Sequence, residues 1–382
     1  MININKNGYK TFSFGEIASN NTERVEPKDT DLSIYVGLEH LDPECIHINR
    51  KGIPADVKGT KFRVFPGDII FGKRRAYQRK AGLVDFDGIC SAHAMVVRAN
   101  PEVILPELFP FFIHSDNFMH RAVDVSEGSL SPTIKWKILA EERFKLPPQP
   151  EQKRLADLLW SVDGVIESYS LLLTKLVTTK NALLKHKHYD EGNKLQSISA
   201  IADINPKVSR SSINKKTKVS FIAMADISEE GCIINKRDKK YSDVQNGFTP
   251  FEEKDILFAK ITPCMENGKG AIANGLTNSL GFGSTEFHVI RPKKPDDCYY
   301  LYSLSRMYYF RRKAEQLMTG SAGQKRVPVD FFDYYKVCFP DEVRRKKLGL
   351  QLLRIDEEIE RVRKIIGSTN NIQQDLINQI FF

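Results

Sequence analysis

Two stretches decide the fold: EQKRLADLLWSVD, Glu151 to Asp163, and RRKKLGLQLLRID, Arg344 to Asp356, stand 193 positions apart and each opens a long periodic run. Alternating steps of four and three from Leu155 reach Leu159, Val162, Ile166, Tyr169, Leu173, Leu176, Lys180 and Leu183. The same steps from Leu348 reach Leu352, Ile355, Ile359, Val362, Ile366, Thr369, Gln373, Leu376 and Ile380. A 3.5-residue apolar period is the seam of a coiled coil, so the two helices are expected to be partners. The simpler alternative is a pair of amphipathic helices, each lying on its own domain. Leu158, Val165 and Leu172 widen the first stripe, and Ile365 and Ile372 the second, beyond what a two-helix contact buries. Such surplus marks either a partner-binding surface or packing on the chain's own domains.

Working outward, the whole chain repeats once. YVGLEHLDPECIHINR, from Tyr35, matches FIAMADISEEGCIINK, from Phe221, and GDIIFGK, ending at Lys73, matches KDILFAK, ending at Lys260. SAHAMVVR, ending at Arg98, answers STEFHVIR, ending at Arg291, and Gly128-Ser129 answers Gly320-Ser321. The offset drifts from 186 to 193 while the order is kept, as loop insertions between duplicated domains produce. Each repeat reads as short strands with Gly, Asn and Pro turns, then helix near Glu107–Val123 or Tyr299–Leu317, then an apolar strand ending at Pro147 or Pro340. The expected fold class is therefore α/β, with a first domain over 1–147, a helix over 148–190, a second domain over 191–340 and a helix over 341–382. The two helices are expected to form an antiparallel coiled coil.

A chain of 382 residues has room for two such domains. Its 41% hydrophobic and 27% charged residues are an ordinary globular mixture. Met1 to Lys10 lacks the pattern of a signal peptide, and no window approaches the roughly 18 apolar residues of a membrane span, so a cytoplasmic protein with no membrane partner is expected. Six scattered cysteines without metal-ligand spacing read as reduced thiols.

No GxxxxGK[ST] loop is present. The LGFGST string ends in a strand pattern rather than a helix, which argues against a cofactor loop. The acids of PDDCYY and PDEVRRK read as helix-capping groups. His93, His114 and His288 have no evident nucleophile beside them and read as core or surface residues. No catalytic, cofactor or metal residue is assigned. The positive signal is basic: Lys61, Arg63, Lys73, Arg74, Arg75, Arg79 and Lys80 stand against the single acid Asp68, a local charge of +6, with Tyr77 and Gln78 among them. The second repeat offers Lys207, Arg210, Lys215, Lys216 and Lys218, then Lys260, Lys269 and the run Gln324-Lys325-Arg326. Arg and Lys neutralise phosphates, and Arg and Gln reach base edges in the major groove. Lys73, Arg74, Arg75, Lys80, Lys260, Lys269, Gln324, Lys325 and Arg326 are the expected DNA-contacting residues.

These residues resemble the specificity (S) subunits of type I restriction-modification enzymes. LPPQPEQKRLADLLWSVDGVIE is similar to that family's junction between a target recognition domain and its helix, and KDILFAK, GSTEFHVIRP and GSAGQKRVPV resemble its recognition-domain segments. FPDEVRRKKL departs from the Pro-rich, Glu-Gln-ending junction expected at the second boundary. The resemblance implies a non-catalytic subunit that reads a bipartite double-stranded DNA target, one half per domain. Its implied partners are two methyltransferase subunits, which would carry S-adenosylmethionine, and restriction motor-nuclease subunits. The rival readings are a stand-alone DNA-modifying enzyme and a coiled-coil scaffold without DNA readout.

Overall fold

The computed structural model describes residues 6–128, 131–188, 195–209, 213–321 and 323–382; Ser129 and Arg210 lie outside these. The chain divides into two compact units, Met1–Ser170 with Lys364–Phe382, and Leu171–Arg363. The division falls inside both long helices, so each helix gives one half to each unit.

In the first unit the strands Ala18–Asn21, Met95–Ala99, Ile69–Phe71 and Ala81–Leu83 form one antiparallel sheet in that spatial order. Ile69-Ile70-Phe71 is buried on both faces, as its continuous apolar run requires. A second sheet orders Arg24–Val25, Lys61–Val64, Gly88–Cys90 and Tyr35–Val36, the last pair parallel. Lys10–Ser13 pairs with Arg143–Leu146 beside the helices Phe109–Ile113 and Asp116–Asp124.

The second unit repeats the plan. Ala202–Ile204, Phe287–Pro292, Ile256–Ala259 and Gly270–Ile272 take the same order. Lys218–Ile222, Leu280–Gly283 and Thr249–Glu252 reproduce three strands of the other sheet, including its one parallel pair. The edge strand differs: Arg24–Val25 flanks Lys61–Val64 in the first unit, whereas Arg237–Lys240 flanks Lys218–Ile222 on the opposite edge in the second. LGFGST is accounted for by the strand Leu280–Gly283 and the turn that leads to the next strand, with no helix following it.

One duplicated pair ties each sheet to its turn. Asp68, fully buried, takes Arg98 Nε at 2.7 Å and Nη2 at 3.0 Å, and Asp255 takes Arg291 at 2.8 and 2.7 Å. Each carboxylate also accepts a turn N–H, from Phe65 or Glu252. A buried carboxylate needs such partners, and here they fix the approach to the central strand.

The two long helices, Gln149–His188 and Glu342–Phe381, are 40 residues each. Gln373 donates to Asp163 at 3.2 Å and Lys180 to Asp356 at 2.5 Å, so the helices pair antiparallel. Leu155, Leu159, Leu348, Leu352, Ile359 and Val362 are buried, and Val162, Ile166, Leu173 and Ile355 half-buried, as the seam spacing predicts. The alternative, helices lying on domains, holds as well at the helix ends. Leu155, Leu159, Leu376, Ile377 and Ile380 enter the first unit's core, and Leu184, Leu348 and Leu352 enter the second's. In the first unit Phe112 lies 5.2 Å from Phe144 and 5.4 Å from Phe381, so the second helix's last turn completes an aromatic core.

The two helix starts are held differently. Buried Gln152 accepts from Leu105 N–H at 2.7 Å and donates to the Val103 and Pro147 carbonyls, both at 2.9 Å. At the matching place Arg345 grips Asp297 through two bonds of 2.9 and 3.0 Å and donates to Pro340 O. The departure from the expected junction sequence is thus a change of clamp. Asp341 caps the second helix through Arg344 N–H at 2.9 Å, as read from the sequence. Asp297 makes no side-chain cap and serves the clamp instead, a correction to its reading as a capping acid. Among the described residues no helix is long and apolar enough to cross a membrane.

Candidate nucleic-acid interface

In each unit the segment after the central strand pairs with a hairpin that lies far along the chain. Ile134 N–H donates to Lys73 O at 2.9 Å and Arg75 N–H to Pro132 O at 2.8 Å. In the second unit Val327 N–H donates to Lys260 O at 2.9 Å and Thr262 N–H to Lys325 O at 3.0 Å. The hairpins are closed by Glu127 with Thr133 and by Thr319 with Arg326. Gly128 and Gly320 open them at φ of 111° and 126°. At Gly320 a Cβ would stand 2.8 Å from Gln324 O, so the turn needs glycine. The site is therefore one two-segment surface built twice.

The exposed cations occupy different halves of that surface. Arg74 and Arg75 project from the first unit's strand-side loop, Arg75 in the left-handed region at φ 54°. Arg74 Nη1 lies 3.4 Å from the His93 ring, and burial followed by the Arg74 charge keeps that imidazole below its usual range. In the second unit Gln324 and Lys325 are exposed on the hairpin, beside half-buried Lys260 and Lys269. Lys269 N–H and C=O bond Cys264 and Ala259, which places it next to Lys260. Tyr77, 56% exposed, stands between Arg75 and Gln78 in the first loop.

Other expected contacts are partly spent inside the protein. Burial pulls the Lys73 ammonium below the ordinary lysine range, and it lies 5.5 Å from the Phe62 ring. Lys80 donates to Leu38 O at 2.7 Å. Arg326 forms a bidentate pair with Glu286 at 2.8 and 2.9 Å, and that guanidinium holds the Glu286 carboxyl below its usual range. Lys61 donates to the Lys58 and Gly59 carbonyls, Arg63 to Asp87 and Arg79 to Asp116, and Arg79 is also ion-paired with Glu44. Of the seven cations in this cluster, Arg74 and Arg75 are the exposed ones. Sequence reading missed Tyr308 and Tyr309, both more than 60% exposed at the start of the helix Tyr308–Gln316, with Arg312 lying 6.0 Å from the Tyr308 ring. Adjacent tyrosines at a helix start were the available signal, since neighbours in a helix cannot both face one core.

The surplus apolar stripe is part exposed: Val165 by 43%, Leu172 by 41% and Ile372 by 54%, whereas Leu158 and Ile365 are half-buried. Leu171 and Val177 add to the exposed set. Of the histidines, His114 and His288 are buried. His288 is held by Asn205 at 3.1 Å and by Val327 O at 2.8 Å, and thus braces the hairpin strand.

Two sheet-based modules closed by long helices, each with a loop-and-hairpin surface that presents basic or polar side chains, make the chain an internal duplication. No protein-family model matches the chain. Its curated relatives are type I restriction enzyme specificity subunits of Escherichia coli: that of EcoEI is 34% identical over 54% of this chain and 36% of the relative, and that of EcoAI 38% identical over 44% and 29%. The matched part therefore spans about a third of the length of these relatives. The fold is shared with the type I restriction-modification S subunit from M. genitalium, at 12% identity, a TM-score of 0.62 and coverage of 100% of this chain and 98% of the other. It is shared also with a chain solved in work on assembly and conformational transition of the type I R-M system, at 18% identity, a TM-score of 0.53 and coverage of 98% and 97%.

Proposed function

We propose that this chain is the DNA-reading specificity subunit of a cytoplasmic type I restriction-modification complex, each unit contacting one half of a bipartite double-stranded target. The observation that carries this is the duplicated pairing of loop and hairpin, with Arg74 and Arg75 exposed on one copy and Gln324 and Lys325 on the other. Those side chains suit both phosphates and base edges. The exposed apolar residues Val165, Leu172 and Ile372 offer the surface for two methyltransferase subunits, which would carry S-adenosylmethionine; motor-nuclease subunits would join that complex. The chain itself contributes recognition and no chemistry.

Binding selections from a random duplex library, using the chain with its co-expressed methyltransferase, test this. Arg74→Ala with Arg75→Ala should relax one half of the selected sequence, and Gln324→Ala with Lys325→Ala the other. A base-reading Arg should cost about 1–3 kcal/mol, and a phosphate-contacting Lys about one unit of salt slope. Unchanged selection by both double variants would overturn the assignment. Methyl transfer by the purified chain alone would replace it with the enzyme reading.

A further inference from the structure

The first unit holds a cluster that its duplicate lacks. His47 lies on a segment whose backbone is fixed to the strand Ala81–Leu83: Leu83 N–H donates to Ile46 O at 2.8 Å, and His47 bridges Leu83. Its Nε2 stands 2.7 Å from Asp163 Oδ2 and 3.6 Å from Glu167 Oε1, two carboxylates one turn apart on the first long helix. The Trp160 ring packs edge-on against the imidazole at 6.2 Å. The Asp163 carboxylate is oriented from the other helix by Gln373, a neutral amide.

We infer that His47, Asp163 and Glu167 form a divalent transition-metal site of the zinc type. Ligand bonds of about 2.0–2.2 Å in a tetrahedral shell put donors roughly 3.4 Å apart, and the observed separations of 2.7 and 3.6 Å bracket that value. A cation would take the place of the hydrogen bond between His47 and Asp163. One imidazole with two carboxylates favours zinc-like ions over magnesium. Asp163 is 7% exposed, His47 30% and Glu167 60%, so the shell is anchored on its inner side and open to an entering ion. Gln373 supplies the outer bond that such a ligand needs.

Charge points the same way. Among the described residues neither Asp163 nor Glu167 is ion-paired with a lysine or arginine. In the second unit the matching acids are Asp356 and Glu360, and both are neutralised, by Lys180 at 2.5 Å and Arg363 at 2.8 Å. The segment matching His47 reads Cys232-Ile233-Ile234 and offers no imidazole there. Gln373 occupies the seam position that Lys180 holds in the first helix. Both units therefore keep the two carboxylates, and the first adds an imidazole and a neutral amide where the second has an isoleucine and a lysine.

The test uses the full, untagged chain stripped of metal, titrated with Co2+ and followed by its visible absorption, with Zn2+ competition and Mg2+ as comparator. One equivalent of Co2+ is expected, displaced by Zn2+ and not by equimolar Mg2+. His47→Ile and Gln373→Lys, which import the second unit's residues, should each weaken uptake by at least about tenfold, the lower bound for loss of an outer-shell partner. Glu167→Gln, on an exposed side chain that cannot unfold the domain, should do likewise. No saturable uptake, uptake unchanged in all three variants, or displacement by equimolar Mg2+ would overturn the assignment.

Discussion

The two units share one plan and join its parts with different chemistry. Where the first uses neutral groups, the second uses cations. Gln152 clamps the first helix to carbonyls, and Arg345 clamps the second to Asp297. Asp163 meets Gln373 in the seam, and Asp356 meets Lys180. After the first short helix of each pair, buried His114 stands in the first unit, while in the second Arg306 reaches Gly268 O at 2.6 Å and Glu229 O at 2.8 Å. The comparison teaches that a duplicated fold conserves where a joint is made, and leaves open whether a dipole or a charge makes it.

The largest expected effect comes from breaking the clamps. Arg345→Ala leaves Asp297, 2% exposed, as an uncompensated buried charge and should cost the second unit about 3–5 kcal/mol. Gln152→Ala leaves a donor and two acceptors unmet without an orphaned charge, and should cost the first unit about 1–3 kcal/mol. Amide exchange followed by mass spectrometry, read on peptides from each unit, measures both. Equal losses would mean that charge does not distinguish the joints.

Acid should separate the units next. Burial holds the His114 imidazole down to about 4, against about 6.5 when unfolded. Its folded pKa is depressed, so the unfolded state takes up the proton first and the first unit loses stability as pH falls from about 6.5 toward 4. At pH 5 the loss should be about 2 kcal/mol relative to pH 7. His114→Gln, which keeps a donor for the Ala81 carbonyl, should remove most of this slope. An unaltered slope would place the titrating group elsewhere.

Much of this arrangement was legible and some was not, for physical reasons. Leu155 to Leu183 and Leu348 to Ile380 announce the seam because helical neighbours recur locally. Nothing local announces that Leu155, Leu159 and Ile380 also enter a domain core, since Phe112 and Phe144 approach them from distant segments. The basic clusters were found as clusters, but which cations remain free depended on Glu44, Asp116 and Glu286, 30 to 40 residues away in sequence. The hairpin pairing of Lys260 with Val327 and of Lys73 with Ile134 was likewise invisible in either segment alone.

The smallest effect sharpens the seam comparison. Lys180→Gln converts the second unit's joint to the first unit's kind and should cost about 1 kcal/mol or less, because the pair is partly solvated. Chemical denaturation of the full chain resolves a change of that size. A loss of several kcal/mol would show that Asp356 depends on this one cation.

Because Phe381 packs on Phe112, the core of the first unit needs residues that are made after the whole of the second unit. A chain emerging from its amino end holds Phe112, Phe118 and Phe144 ready long before the closing turn exists, whereas the second unit is a continuous stretch from Leu171 to Arg363. Synthesis therefore finishes the second unit first, and the core of the first waits, with its aromatic face uncovered, for the helical turn that carries Phe381.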